Sequence, residues 1–306
     1  MTISKKGLNT DMTAYLRYTL AVLSAALLAF GIAEAGILIG SDLTYSVKKG
    51  DTIELVGART GVNWWKIAKD NRIDLKQRLS SGQELKFNAR RIVPMTVENG
   101  IIINVPDRTL YFFKNNKLVR TFPVGLGLLT SKTSVSWKTP VGKFRVISKE
   151  KNPTWYVPPS IQEEMELEGK EVITSVPPGP DNPLGRYAIK TTIPGIMIHE
   201  TIKPASVNQF RSHGCIRVMP ENMEPFFGEV EANITGEIIY MPVKAIAADN
   251  GRVYLEVHKD FYGRMKNMKE EAKLQIEKTG AAAKVDWKKV ESVLKERAGI
   301  AEDITL

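Results

Sequence analysis

The chain has a single cysteine in 306 residues, Cys215, set in Ser212-His213-Gly214-Cys215-Ile216-Arg217. Two of its three histidines, His199 and His213, lie within 16 residues of that thiol. One thiol beside two imidazoles is the composition of a cysteine nucleophile with a base at hand. A free thiol has a pKa of about 8.5 and is mostly protonated at neutral pH. An imidazole that takes its proton, and cations such as Arg211 and Arg217, raise the thiolate fraction. The competing reading is a small buried apolar residue, which is how free cysteine often packs. Such a residue has no need of Ser-His-Gly before it and Arg after it. A zinc site from His199, His213 and Cys215 is arithmetically open, but the spacing lacks a paired Cys-x-x-Cys or His-x-x-x-His.

The elements that must position these groups are mostly strands. His199 ends an apolar run over 195–199, and 101–105, 109–114, 117–124, 143–148, 187–190 and 237–241 read as further strands. Asn115-Asn116 between two of these runs is a two-residue hairpin turn of the kind that favours positive φ. The segment 152–185, rich in proline and glycine, is too long for an ordinary loop and predicts a cleft wall with one short helix over 159–168. Pro220 starts a helix that runs through Met223 and Phe227 and ends at Gly228.

Upstream, 43–87 reads as a compact unit. A strand over 43–47 is followed by a helix capped at Asp51 or Thr52 and stopped by Gly61. A second helix is capped by Asn63, and a closing strand covers 84–87. Residues 90–97, with Pro94, read as a linker. Downstream, 245–248 and 253–257 flank Asp249-Asn250-Gly251, a hairpin signal. Phe261, Met265, Met268, Ala272 and Ile276 then recur at helical spacing, as do Trp287, Val290 and Leu294. These amphipathic helices are expected to pack on the body of the protein, with a partner-binding or membrane-surface role as the alternative. His258, just after a strand, is read as structural or surface.

Composition narrows the classes. Net charge is +9, compatible with nucleic acid, a membrane surface or an acidic substrate. The charge is spread along the chain with no Lys/Arg block and no nucleic-acid motif, which argues against nucleic acid. One cysteine makes no intramolecular disulfide, so the fold rests on packing and the thiol stays free. Lys5, Lys6 and Arg17 precede an uncharged stretch over 18–33, and Ala33-Glu34-Ala35 offers small residues where a signal peptidase inspects the chain. Residues 1–35 thus read as a cleaved signal peptide, with an uncleaved membrane anchor and a buried helix as alternatives. The first two export the rest of the chain, to the periplasm or cell envelope. The only membrane contact expected is through this segment if it is retained.

The unit over 43–88 resembles the LysM carbohydrate-binding module. The resemblance rests on Tyr45-x-Val47-x-x-Gly50-Asp51-Thr52, on Ile67-Ala68 with Asn71, and on Leu79 with Gly82-Gln83-x-Leu85. It implies binding of N-acetylglucosamine-containing glycans; the alternative is a stabilising subdomain that binds nothing. The segment from His199 to Ser212-His213-Gly214-Cys215-Ile216-Arg217, together with Thr139-Pro140-Val141-Gly142-Lys143-Phe144 and Asn182-Pro183-Leu184-Gly185, resembles the L,D-transpeptidases of bacterial cell walls (the YkuD-type catalytic domain) over about 98–243.

That resemblance implies a set of roles. Cys215 falls on the nucleophile, His199 on the general base, and His213-Gly214-Cys215 on the backbone that stabilises the oxyanion. The residue after the base, here Glu200, supplies a carbonyl that orients the ring; many relatives have glycine there, and the Glu200 side chain is expected to charge the cleft. Arg211, Ser212 and Arg217 fall near the stem-peptide cleft. The implied reaction cleaves a stem peptide before its terminal D-alanine and transfers the acyl group to an amine, with no metal or organic cofactor. The partners are peptidoglycan stem peptides and glycan strands. Alternatives are an L,D-carboxypeptidase and a non-catalytic peptidoglycan-binding scaffold. A papain-like wall endopeptidase is disfavoured, because there the cysteine precedes its histidine. The expected fold is mixed and β-rich: a mixed sheet sandwich with short helices, preceded by a small βααβ LysM-like domain and followed by a hairpin and C-terminal helices over 244–306.

Overall fold

The computed structural model describes residues 36–130, 132–133 and 135–306. The expected signal or anchor over 1–35 lies outside the described residues, and no helix among them is long and apolar enough to cross a membrane. Residues 36–306 form one compact unit.

Its N-terminal part follows the local signals closely. Strand Asp42–Ser46 pairs antiparallel with Glu84–Asn88. Between them, Thr52 caps helix Ile53–Thr60 by accepting from the Leu55 N–H at 3.2 Å, and Gly61 ends it in the left-handed conformation, φ 73°. Asn63 precedes helix Trp64–Asp70, but its side chain does not cap it. Asn63 instead donates to the Ala298 carbonyl and accepts from Arg108 Nη2 at 2.9 Å. The expected linker over 90–97 contains a strand, Arg91–Val93, which pairs with Ile37–Ile39.

The large sheet has nine strands in the order Phe210–Ser212, Lys117–Gly127, Ile216–Val218, Met197–Glu200, Tyr187–Thr191, Gly142–Lys151, Thr235–Ile239, Gly100–Asn104 and Thr109–Lys114. The last strand pairs back onto Lys117–Gly127, so the sheet closes on itself. The β-rich mixed fold with few short helices is as expected, but its strands enclose one core instead of facing each other in two layers. Ile101, Ile103, Leu110, Phe112, Val124, Leu126, Ile189, Ile198, Ile216 and Val218 fill that core, and Phe226 of helix Pro220–Glu229 packs edge-on against Phe112 and Phe122. That helix runs past Gly228 to Glu229. Asn115 and Asn116 make the predicted turn, at φ 50° and 60°.

The C-terminal part is a three-stranded sheet, Val243–Ala247, Val253–Val257 and Ala301–Asp303, covered by helices Met268–Lys278 and Trp287–Glu296. The first helix starts later than its apolar periodicity suggested. Asn267 caps it, accepting from Lys269 N and Glu270 N at 3.0 and 3.2 Å. Before it, Asp260 accepts from the Arg264 and Met265 N–H groups at 2.9 and 2.8 Å and holds those residues in a turn. This part is locked to the rest by buried polar bonds. Lys244 Nζ lies 2.7 Å from Asp107 and 2.8 Å from Glu256, and Glu256 binds His258 Nε2 at 2.6 Å and accepts the Ile92 N–H at 2.5 Å. His258 is therefore structural, with its acid partner two residues away.

Candidate active site

His199 lies on a strand, and Cys215 stands just before the parallel neighbour of that strand. Met197–Glu200 pairs with Ile216–Val218 in the register Ile198 to Ile216 and His199 to Arg217. Side chains alternate along a strand, so His199 and Arg217 share a face, and the register carried back one residue sets Cys215 beside Met197 on that face. The contacts agree. The Met197 N–H donates to Cys215 Sγ at 3.4 Å, and the thiol donates to the Gly195 carbonyl at 3.3 Å.

His199 is buried, and its Nδ1 is 2.7 Å from the Glu200 carbonyl oxygen. A carbonyl only accepts, so Nδ1 carries the proton and Nε2 keeps its lone pair. Burial, reinforced by the Arg217 charge, pushes the imidazole down to about 4 against the opposing effect of the Glu200 carbonyl. Burial raises the Cys215 thiol above its ordinary value, although the Met197 N–H and Arg217 pull it the other way. His199 is thus a neutral imidazole with its proton on Nδ1 and a lone pair on Nε2, and Cys215 is a thiol.

The loop carrying Cys215 is fixed by its own backbone and by distant residues. Gly214 sits at φ +111°, where an L side chain is strained. Ser212 is buried; its hydroxyl donates to the Cys215 carbonyl at 2.6 Å and accepts the Gly214 N–H at 3.1 Å. Ser212 thus positions the loop, whereas the sequence had set it against substrate. The Gly214 carbonyl accepts from Thr139 Oγ1 at 2.8 Å, and Thr139 Oγ1 accepts the Gly127 N–H at 2.9 Å. Tyr262 completes this lattice: its hydroxyl donates to the Gly127 carbonyl at 2.6 Å and accepts the Thr139 N–H at 3.1 Å. Gly127 is essential to the packing, since a Cβ there would lie 1.9 Å from the Trp137 carbonyl oxygen.

His213 points elsewhere. Its Nε2 is 2.8 Å from Glu164, on helix Pro159–Leu167 of the expected cleft wall, and its ring packs edge-on to Trp137 at 4.3 Å. That wall is itself tied down by buried Asn182, whose amide donates to the Pro153, Val176 and Pro177 carbonyls. His199, His213 and Cys215 do not converge as metal ligands. Among the described residues the one such cluster is Asp107, Glu256 and His258, and Lys244 bridges its two carboxylates.

Glu200 corrects another expectation. Alternation turns its carboxylate away from His199, where it accepts from Arg186 Nε and Nη2 at 3.2 and 3.3 Å and from the Arg186 N–H at 3.3 Å. It adds no charge to the His199 face; its carbonyl is the part that meets the imidazole. Arg217 is half-buried beside His199, as its position suggested. Arg211 is exposed, donates to Gln209 at 2.6 Å, and lines a groove with Trp65 and Phe261 whose lining includes neither Cys215 nor His199. Sequence reasoning missed Tyr262 and Glu164. Tyr262 lies 47 residues past Cys215 inside an apparent helical repeat, so no local pattern marked it.

A thiol and a neutral imidazole oriented through its far nitrogen, beside a glycine-bearing loop, form an arrangement chemically capable of acyl transfer. The sequence pattern of the L,D-transpeptidase catalytic domain (YkuD) matches residues 98–246, and that of the LysM domain matches residues 45–88. The probable L,D-transpeptidase ErfK/SrfK of Escherichia coli strain K12 is 30% identical over 234 residues, 74% of this chain and 73% of its own. Its namesake from Salmonella typhimurium is 29% identical, covering 89% of both chains. A solved catalytic domain of the Enterococcus faecium L,D-transpeptidase overlaps 47% of this chain and 99% of its own at 20% identity, with a TM-score of 0.33. The chain belongs to the L,D-transpeptidase family: it is a transferase of peptidoglycan L,D-transpeptidation that carries a LysM domain.

Proposed function

We propose that Cys215 attacks the carbonyl of a stem peptide before its terminal D-alanine, with His199 as general base. The observation that carries this reading is the His199 Nδ1 bond to the Glu200 carbonyl on the strand next to Cys215, which frees Nε2 to take the thiol proton. As the S–C bond forms, the proton moves from Sγ to Nε2 and negative charge collects on the former carbonyl oxygen. The Gly214 N–H is engaged by Ser212, so the oxyanion donors are the N–H groups of His213 and Cys215. The C–N bond then breaks, and D-alanine leaves with the proton from His199. An acceptor amine resolves the thioester by the same steps in reverse; water in its place would make the enzyme a carboxypeptidase. Arg217, beside His199, draws an acidic stem peptide into the cleft.

In this reading residues 43–88 hold glycan strands, 98–243 perform the chemistry and 244–306 support them. Residues 1–35 take the chain across the inner membrane to the periplasm or cell envelope. The test is incubation with disaccharide-tetrapeptide, read by mass spectrometry for crosslinked dimer and released D-alanine. Cys215→Ala is expected to abolish both products. His199→Ala is expected to slow thioester formation on the order of a hundredfold, the usual worth of a positioned base. Product from Cys215→Ala, or a His213→Ala loss with His199→Ala at wild-type rate, would overturn the assignment.

A further inference from the structure

Asn182-Pro183-Leu184-Gly185 takes no part in the acyl-transfer steps, yet it leads straight into the residue that grips Glu200. Buried Asn182 shapes the turn: its side chain accepts the Leu184 N–H at 2.9 Å and its carbonyl the Gly185 N–H at 3.0 Å. Gly185 then stands at φ +64°, and a Cβ there would lie 2.7 Å from Glu200 Cβ and 2.8 Å from its Cγ. Only glycine lets the turn pack this closely on Glu200. Arg186 follows, and its N–H, Nε and Nη2 all donate to the Glu200 carboxylate. Among the described residues Arg186 is the one cation paired with that buried acid. Its Nη2 also reaches Glu224 at 3.5 Å, and Glu224 accepts from the Tyr187 hydroxyl at 3.0 Å.

The backbone of Glu200 is held at the same time. A trans peptide unit is planar, with its C=O and N–H pointing in opposite directions. The Thr201 N–H donates to the Val218 carbonyl on the neighbouring strand at 3.0 Å. The Glu200 carbonyl of the same unit therefore points away from that strand, and it accepts from His199 Nδ1 at 2.7 Å. Strand Met197–Glu200 ends here, and the arginine fork holds its last residue from the opposite face. Turning the peptide unit away from His199 would pull a buried carboxylate off its only cation, which is costly.

We propose that Arg186 is a positioning residue for the general base: by clamping the Glu200 carboxylate it fixes the carbonyl that keeps the His199 proton on Nδ1. The proposal rests on the reading of His199 as the base and deepens it. Two measurements on the full chain test it, the saturating rate and KM of carbapenem acylation of Cys215, and the tautomer of His199 from nitrogen-15 imidazole spectra. Arg186→Met is expected to slow acylation on the order of tenfold with KM little changed, and to turn the single His199 tautomer into a mixture. R186K keeps a charged donor for Glu200 and is expected to restore the single tautomer and most of the rate. R120M breaks another arginine–glutamate pair of the same fold, Arg120 with Glu229, and is expected to leave rate and tautomer unchanged. Thermal melting checks folding. Should R186M not fold, R186M with E200Q leaves no unpaired buried charge and is expected to show the same mixed tautomer. A wild-type tautomer in the R186M chain or in that double variant, or a rate loss matched by R120M, would overturn the proposal. If wild-type Cys215 is not acylated at all, the acyl-transfer reading fails, and the tautomer comparison still decides the clamp.

Discussion

Under the proposed mechanism, the pH dependence of thioester formation tests the resting state of His199 and Cys215. His199 is held down to about 4 chiefly by burial, and Cys215 is raised by burial, so both are neutral near pH 7. The base is then competent wherever the imidazole is unprotonated. With half-protonation near 4, acylation at pH 5 should run at about 90% of its plateau, whereas an imidazole at its ordinary 6.5 would leave about 3%. The assay is the rate of covalent adduct formation with a carbapenem between pH 4 and 8, read by intact-protein mass, over the range where circular dichroism shows the chain folded. A half-maximum near 6.5 would refute the buried neutral base. So would a thiolate absorbance near pH 7, which would mean a preformed ion pair. The same shift has a stability sign. Above 6.5 the ring is neutral folded and unfolded, and between 6.5 and 4 only the unfolded chain takes the proton. Stability is therefore lost as pH falls through that window, by on the order of 3 kcal/mol for this group. The difference in urea midpoint between wild type and His199→Gln across the window reads that contribution.

Two further outcomes follow from the contacts. Tyr262→Phe leaves the buried Gly127 carbonyl and Thr139 N–H without their partner, which should cost about 1–3 kcal/mol in a urea melt and slow acylation about tenfold with KM little changed; unchanged stability and rate together would remove the positioning role. Ending the chain at 246 strips Glu256 from buried Lys244, and losing one partner of such a pair costs about 3–5 kcal/mol, against a total stability of about 5–15 kcal/mol; a truncated chain with a cooperative melt at the wild-type midpoint would contradict it.

What the sequence made legible was local. Thr52 and Gly61 bounded a helix because a hydroxyl acceptor and a left-handed glycine satisfy helix ends. Asn115-Asn116 made a hairpin because both residues tolerate positive φ. Cys215 and His199 stood out by residue type and converged by strand register. What stayed hidden depends on partners far along the chain. Closure of the sheet needs Thr109–Lys114 to pair with Lys117–Gly127 on one side and Gly100–Asn104 on the other, which period-two alternation alone does not specify. Closeness to the motif suggests cleft roles for Ser212, Glu200 and Arg211, yet alternation sends Glu200 to Arg186, burial engages Ser212 with backbone, and Arg211, on strand Phe210–Ser212, lines another groove. The helical repeat over 261–276 was real only from Met268, because the Asp260 carboxylate competes for the backbone before it.

These long-range bonds tie the residues beyond 246 to the loop that carries Cys215. In the mechanism proposed above, a thiol with a raised pKa and an imidazole with a lowered one do not exchange a proton at rest, so transfer would coincide with attack on a correctly placed carbonyl. That places the demand on geometry: the Cys215 loop must be rigid before substrate arrives. Gly214 makes the loop possible but supplies no stiffness of its own. The stiffness comes from Thr139 holding its carbonyl, and from Tyr262 holding Thr139 and Gly127 together. Tyr262 in turn is held by the Asp260 turn and its contact with Tyr240. The same C-terminal part closes the LysM-like core with Ala298 and Ile300 and accepts Asn63 at the Ala298 carbonyl. One segment therefore holds both the Cys215 loop and the LysM-like unit, which is what the proposed mechanism needs if a glycan held in one place is to present its peptide at another.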